Sequence, residues 1–192
     1  MPRINWKQEV FSIPNLLSLF RLVLIPVYIL TYLNAEHWYA YAVSAGILAV
    51  SCLTDLIDGK IARKYNMITN LGKILDPLAD KATQFAMTLC LSAKYPALRS
   101  VLILLVIKEL LQCGIGILYL HRGKVLSGAI FAGKVCTTVL FASLIIMVLF
   151  PALPASVILV VSCLDSFFLM FALISYLYAY FGGNSSLEEW NP

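Results

Sequence analysis

The sequence predicts an all-α membrane protein of six transmembrane helices, with a short interfacial helix at its N-terminus. Of the 192 residues, 61% are hydrophobic and only 12% are charged, and the mean hydropathy is +0.88. Soluble domains are about 45–50% apolar and about 25% charged. A soluble fold of this length would therefore have too few polar side chains to cover its surface.

Six apolar segments are long enough to cross a bilayer core of about 30 Å as helices. They are residues 15–34, 38–62, 74–93, 98–120, 127–150 and 155–181. Short polar, glycine-containing or proline-containing breaks of the kind found in loops separate them. We therefore expect one six-helix domain over residues 14–182, followed by a polar tail over residues 183–192.

The N-terminal segment, residues 1–13, mixes apolar side chains with Arg3 and Lys7 at helix-like spacing. This pattern favours a helix lying on the membrane surface, and a frayed tail is the alternative.

Basic residues are concentrated on one side of the six-helix arrangement, and only Lys94 and Arg99 fall clearly on the other. The positive-inside rule then puts both termini, the loop 121–124 and the acidic stretch 55–80 at the cytoplasmic face of the membrane. The net charge of +4 is explained by this topology and by attraction to anionic headgroups. No nucleic-acid partner is expected.

Four carboxylates stand out in a stretch that is otherwise mostly apolar. They are Asp55, Asp58, Asp76 and Asp80. At about 100° per residue, Asp55 and Asp58 share one helix face with Gly59 and Ala62, while Asp76 and Asp80 share a face of the next helix. If the polar link 64–72 reverses the chain, the two faces meet.

Carboxylates that converge in this way repel one another unless a cation lies among them. Oxygen ligands with no histidine or cysteine nearby favour a hard divalent ion such as Mg²⁺ or Mn²⁺. The alternative is a set of solvated helix-end acids, each with its own lysine or arginine. Arg21, in the first two turns of the first helix, either snorkels to the interface or turns inward to pair with an acid.

Three cationic residues suggest a second, basic feature of the site. They are Lys108, Arg122 and Lys134. Lys108 is followed by Glu109, and adjacent helical residues point about 100° apart, so each is expected to find another partner or to line a wet cavity. Gly128 and Gly133 leave open space beside Lys134. Such a basic patch suits a substrate that carries phosphate, although topology alone accounts for Arg122.

The spacing Asp55-x2-Asp58-Gly59-x2-Ala62-Arg63-x8-Gly72-x3-Asp76-x3-Asp80 resembles, at all eight fixed positions, the signature of the CDP-alcohol phosphatidyltransferases. The resemblance extends to the six-helix layout. Within that family, the runs 13–21 and 70–81 look most like those of the bacterial phosphatidylglycerophosphate synthases. Those enzymes commonly carry Arg-Glu where this chain has Lys108-Glu109. Lysine keeps the positive charge but lacks the guanidinium, whose planar set of donors can bind two oxygens at once.

The resemblance implies transfer of a phosphatidyl group from CDP-diacylglycerol to an alcohol at the cytoplasmic interface, with release of CMP. It implies that the four acids hold two divalent ions and that Asp80 is also the catalytic base on the acceptor hydroxyl. The implied CDP-lipid-binding residues are Asp58, Gly59, Ala62, Arg63 and Gly72. Asn15 and Arg21 support the site, and the protein is expected to form a homodimer.

The acceptor is predicted to carry phosphate because of Lys108, Arg122 and Lys134, and sn-glycerol 3-phosphate suits the resemblance best. Phosphatidylglycerol, giving cardiolipin, and inositol phosphate are the alternatives. A divalent-cation transporter that uses the acids as its selectivity site is the rival from another class. Polar groups that could continue a permeation path are sparse. A non-catalytic scaffold with the same fold is disfavoured because all four acids are present.

Overall fold

The computed structural model describes residues 12–64, 69, 71–121, 124–126, 128–181 and 187–189. The side chains at 13, 56, 59, 61–64, 73, 116–121, 124–126, 128–132, 179–180 and 187–189 lie outside that description. The described part contains six α-helices, which confirms the all-α prediction. They are α1 (Ile13–Leu33), α2 (Trp38–Lys64), α3 (Gly72–Lys94), α4 (Leu98–His121), α5 (Gly128–Leu149) and α6 (Ala155–Phe181).

Among the described residues, two stretches are long and apolar enough to cross a membrane by length and composition. They are Pro14–Leu33 in α1, with a mean hydropathy of 2.0, and Ala155–Tyr178 in α6, with a mean hydropathy of 2.6. Large apolar side chains also point outward, with Leu30 63% exposed and Phe167 66% exposed. Apolar surface of this kind marks contact with lipid or with another protein. The two stretches and this apolar surface fit the predicted membrane protein, and the count of six spans stays a prediction.

The first compact unit is Met1–Cys90, and in it α1 packs along α2. Ser12 has extended backbone angles before α1, and Pro14 occupies the first turn, where a missing N–H matters least. Away from the acids, the ring of Tyr32 lies 5.7 Å from that of Tyr28 and 5.3 Å from that of Tyr41 on α2. The contact between Tyr32 and Tyr41 joins α1 to α2. The predicted interfacial helix over residues 1–13 falls largely on residues outside the described part.

The second compact unit is Leu91–Pro192, in which both α4 and α5 pack against α6. The side chains of Lys94 and Tyr95 donate hydrogen bonds of 3.3 and 2.7 Å to the carbonyl of Pro151, which joins two loops of the unit. Asp165 on α6 is only 1% exposed. It accepts a hydrogen bond of 2.7 Å from Ser143 on α5.

The second unit also contains a short antiparallel ladder of two strands. β1 (Lys124–Leu126) follows α4, and β2 (Leu187–Glu189) lies in the predicted polar tail. Lys124 is paired with Glu189, and Leu126 with Leu187. Strands of three residues carry no periodic pattern, so the sequence gives no signal for this ladder.

Candidate active site

The candidate site lies in the first unit, where α1, α2 and α3 each contribute polar side chains. Its centre is Arg21 on α1, which is 2% exposed. Arg21 Nη2 lies 2.7 Å from Asp55 Oδ1 and 2.7 Å from Asp58 Oδ2, both on α2. Arg21 Nη1 lies 2.5 Å from Asp80 Oδ1 on α3. Arg21 thus turns inward, which is one of its two predicted positions, and the acids of α2 and α3 meet around it.

The fourth acid, Asp76, is contacted by Ser18 and not by Arg21. The Ser18 hydroxyl lies 2.5 Å from Asp76 Oδ1 and 3.1 Å from the carbonyl oxygen of Pro14. Ser18 and Arg21 are three residues apart, so they share one face of α1. That face therefore contacts all four carboxylates. Ser18 carries no charge and belongs to no catalytic motif, so the sequence gives no reason to select it.

A second polar contact joins the start of α3 to α1. The Asn15 side chain is 1% exposed, and its Nδ2 and Oδ1 lie 2.9 and 3.0 Å from Thr69 Oγ1. The backbone N–H of Gly72 donates a hydrogen bond of 2.9 Å to the same Thr69 oxygen. Thr69 therefore caps α3 and sets the position from which Asp76, one turn further along, reaches Ser18. Thr69 is another site residue that the sequence does not indicate.

Replacing Gly72 with alanine is expected to disturb this junction. A Cβ at position 72 would lie 2.7 Å from Asn15 Oδ1 and 3.0 Å from Thr69 Oγ1. Such overpacking costs about 1–3 kcal/mol, so Gly72→Ala should lower the unfolding temperature measured in detergent. The matched control is Gly46→Ala on α2, because a Cβ there meets nothing within 4 Å. Equal unfolding temperatures for the two variants would contradict the packing role of Gly72.

The carboxylates differ in exposure. The Asp58 side chain is 4% exposed, that of Asp55 43% and that of Asp80 58%. The site is therefore closed at Asp58 and open at Asp55 and Asp80.

The donor set consists of carboxylate oxygens, which in its chemistry fits Mg²⁺ or Mn²⁺. In the part of the chain that is described, however, no three acidic, histidine or cysteine side chains are arranged to hold one metal ion. The guanidinium of Arg21 lies among three of the acids instead.

The remaining predicted lipid-site residues are only partly described. Gly59, Ala62 and Arg63 lie in the last turns of α2, and their side chains are outside the described part. Arg122 lies outside it altogether. Gly72 is buried against Asn15 and Thr69.

Lys108 on α4 is 2% exposed, and its Nζ lies 2.7 Å from Oε1 of the adjacent Glu109. The prediction that these neighbours are poor partners for each other is therefore wrong. Both side chains are long and flexible enough to fold towards each other although their Cβ atoms point apart. Pairing also relieves the cost of a buried charge.

Lys134 on α5 is exposed, but the prediction of open space beside it is wrong at Gly133. A Cβ at position 133 would collide with the hydroxyl of Tyr176 on α6 and would lie 3.3 Å from the Tyr176 Cζ. The glycine allows a tyrosine of α6 to pack against the α5 backbone. The space that glycine leaves is thus filled from a neighbouring helix.

Comparison of the sequence with known proteins identifies the family to which the chain belongs. Residues 11–180 match the family model described as CDP-alcohol phosphatidyltransferase. A probable phosphatidylglycerophosphate synthase of Mycobacterium tuberculosis (strain ATCC 25618 / H37Rv) is 40% identical over 81 residues, which is 41% of this chain and 39% of that protein.

The CDP-diacylglycerol–glycerol-3-phosphate 3-phosphatidyltransferase of Escherichia coli (strain K12) is 45% identical over 71 residues, 37% of this chain and 38% of that protein. Each alignment thus spans about two fifths of the relative's length. The family model, in contrast, covers most of the chain. The chain belongs to the CDP-alcohol phosphatidyltransferase family.

Proposed function

We propose that this chain is an integral membrane transferase that moves a phosphatidyl group from CDP-diacylglycerol to sn-glycerol 3-phosphate, giving phosphatidylglycerophosphate and CMP. The observation that carries the proposal is the meeting of Asp55, Asp58 and Asp80 from two helices around the buried side chain of Arg21. This position lies within the segment matched by the family model. The names of the two relatives, a probable phosphatidylglycerophosphate synthase and a glycerol-3-phosphate 3-phosphatidyltransferase, support the choice of acceptor.

The four acids are proposed to bind two divalent ions, Mg²⁺ or Mn²⁺. Their all-oxygen donor set supports this assignment. When bound, such ions would neutralise the diphosphate of the donor and stabilise the negative charge on the phosphate of CMP as CMP leaves. Buried Asp58 would anchor the site, while Asp55 and Asp80 are open enough to meet a substrate.

Asp80 is proposed as the general base. Arg21 contacts its Oδ1, and the side chain is 58% exposed, so Oδ2 is left for an acceptor hydroxyl. As Asp80 takes the hydroxyl proton, the acceptor oxygen bonds to the lipid-side phosphorus. The bond from that phosphorus to the bridging oxygen breaks, and CMP leaves with the electron pair. General-base assistance of this kind contributes about 10²–10⁴-fold to rate.

The CDP-lipid is proposed to lie against Asp58, Gly59, Ala62, Arg63 and Gly72. Gly59 and Ala62 are small residues, which would let a ligand approach one face of α2 closely. The guanidinium of Arg63 suits a diphosphate. Asn15 and Arg21 are proposed to position α3 and the carboxylates, and their contacts with Thr69 and the acids support that role. A cytoplasmic location of the site and a homodimer are part of the same proposal.

The phosphate of the acceptor is proposed to bind Lys108, Arg122 and Lys134. The ammonium of Lys108 has three donors, and its contact with Glu109 uses one of them. Phosphatidylglycerol and inositol phosphate are the alternative acceptors that such a pocket admits.

An acceptor screen tests the proposed reaction. Purified protein is incubated with CDP-diacylglycerol, Mg²⁺ or Mn²⁺, and one of four acceptors: glycerol 3-phosphate, phosphatidylglycerol, inositol phosphate or serine. We expect CMP release and phosphatidylglycerophosphate with the first acceptor only. Cardiolipin or a phosphoinositide product would reassign the acceptor. No CMP release with any acceptor, together with Mn²⁺ flux into vesicles, would replace the transferase with a transporter.

Lys134→Ala is expected to raise the KM for glycerol 3-phosphate by about tenfold or more, because a hydrogen bond to a charged group is worth about 1.5–3 kcal/mol. The KM for CDP-diacylglycerol should change little. Arg99→Ala is the matched control, since Arg99 is exposed and lies on the opposite face in the predicted topology. Equal changes in both KM values would contradict the assignment of Lys134 to the acceptor.

A further inference from the structure

Arg21 occupies the position where a bound cation is expected among the acids. One guanidinium contacts Asp55, Asp58 and Asp80, so it divides its single positive charge among three carboxylates. Arg21 itself is 2% exposed. Arg21 and Asp58 are both buried, where incompletely compensated charge is costly, and a divalent ion would bring two positive charges to these carboxylates instead of one.

The position of Arg21 is also imperfect for its own hydrogen bonding. Among the described residues, Arg21 Nε is buried and has no hydrogen-bond partner. Buried N–H groups are almost always paired, because an unpaired one carries the full penalty of desolvation. Nη1 and Nη2 of Arg21 thus contact carboxylates, whereas Nε has no hydrogen-bond partner among the described residues. Arg21 is therefore incompletely satisfied at the position that it occupies among the acids.

The three ion pairs of Arg21 differ in how easily an arriving ion can reach them. The partner on the closed side, Asp58, is 4% exposed, whereas Asp55 is 43% and Asp80 58% exposed. An ion from solution would therefore meet Asp55 and Asp80 first. Asp58 would remain within reach of the arginine.

We propose that Arg21 is a resident counter-cation, which a divalent ion displaces from Asp55 and Asp80 while Arg21 keeps its contact with Asp58. This inference rests on the proposed function, in which these acids bind divalent ions. It has two consequences. Arg21 stabilises the ion-free protein by holding the acids of α2 and α3 together, and it weakens ion binding because its own contacts must be given up first.

Mn²⁺ binding tests the inference without any measurement of turnover. The wild type, Arg21→Gln and Arg21→Lys are purified, and free and bound Mn²⁺ are measured by electron paramagnetic resonance. Arg21→Gln should bind Mn²⁺ about tenfold more tightly, a typical size for coupling between two ligands. Its unfolding temperature should fall strongly in EDTA and much less in saturating Mn²⁺.

Arg21→Lys keeps the charge and loses the fork of donors. Its Mn²⁺ dissociation constant should lie between those of Arg21→Gln and the wild type, and this variant keeps the test decisive if Arg21→Gln does not fold. Arg99→Gln is the control for net charge, because it removes one exposed positive charge from the second unit. Its Mn²⁺ affinity should match that of the wild type.

Unchanged or weaker Mn²⁺ binding by the Arg21 variants would overturn the inference and leave Arg21 as a residue that positions the carboxylates. The same holds if Arg21→Gln lowers the unfolding temperature equally with and without Mn²⁺. A wild type that neither binds Mn²⁺ nor releases CMP would overturn the proposed function as well. If the wild type binds Mn²⁺ and turns over but the variants bind no more tightly, only the inference fails.

Discussion

Asp80→Asn is expected to reduce turnover by at least about a thousandfold while the protein stays folded. Loss of a general base alone costs about 10²–10⁴ in rate, and Asp80 is also a proposed ion ligand. Asparagine has nearly the same shape, the side chain is 58% exposed, and Arg21 keeps its contacts with Asp55 and Asp58. CMP release gives the rate, and the unfolding temperature in detergent reports the fold.

The control for Asp80→Asn is Glu36→Gln, which removes one negative charge from the exposed link between α1 and α2. This variant should turn over like the wild type. If Asp80→Asn keeps more than about a tenth of wild-type turnover, the assignment of Asp80 as general base is wrong, because the contribution of a base is larger than that.

Asp58→Ala is expected to cause the largest loss of stability among the four acids. Removing one partner of a buried ion pair typically costs about 3–5 kcal/mol, and we expect a loss near the lower end of that range because Arg21 keeps its contacts with Asp55 and Asp80. Asp58 and Arg21 are 4% and 2% exposed at their side chains, so this pair is desolvated on both sides. The measurement is the free energy of unfolding in a buffer that contains EDTA, so that bound ions do not contribute.

Asp55→Ala is the matched control, since it removes a carboxylate at the same distance from the same nitrogen of Arg21. The Asp55 side chain is 43% exposed, and ion pairs open to solvent contribute about 0–1 kcal/mol. Its loss of stability should therefore be several-fold smaller than that of Asp58→Ala. Similar losses for the two variants would show that burial does not determine how Arg21 is held.

The sequence predicts the helices and the meeting of the acids well, because each leaves a periodic or compositional signal. The apolar segments 98–120 and 155–181 correspond to Leu98–His121 and Ala155–Phe181 in the structure. Two acids on each of two consecutive helices predict a shared site, and Arg21 joins both pairs.

The contacts of α1 are less visible in the sequence. Ser18 and Thr69 are common, uncharged residues whose importance comes from partners 58 and 54 residues away. The orientation of Arg21 is likewise decided by tertiary contacts. A snorkelling and an inward-facing arginine look the same in a sequence, because both occur near the end of an apolar helix.

Two predictions for the second unit are wrong because they consider the direction of each Cβ atom and not the length of the side chains. Spacing describes where Cβ atoms point, but the long side chains of Lys108 and Glu109 meet despite their divergent directions. Glycine at position 133 predicts open space beside the helix, but the sequence does not indicate that the Tyr176 side chain occupies that space.

The ion pairs of Arg21 also constrain how the protein is made. The first helix leaves the ribosome with an arginine whose partners Asp58 and Asp80 are synthesised 37 and 59 residues later. An arginine facing the middle of a bilayer costs about 2.5–3.5 kcal/mol on translocon-based scales. If α2 and α3 are membrane spans, as the sequence predicts, α1 is expected to stay near the translocon until α3 is inserted. The first three helices would then enter the lipid together.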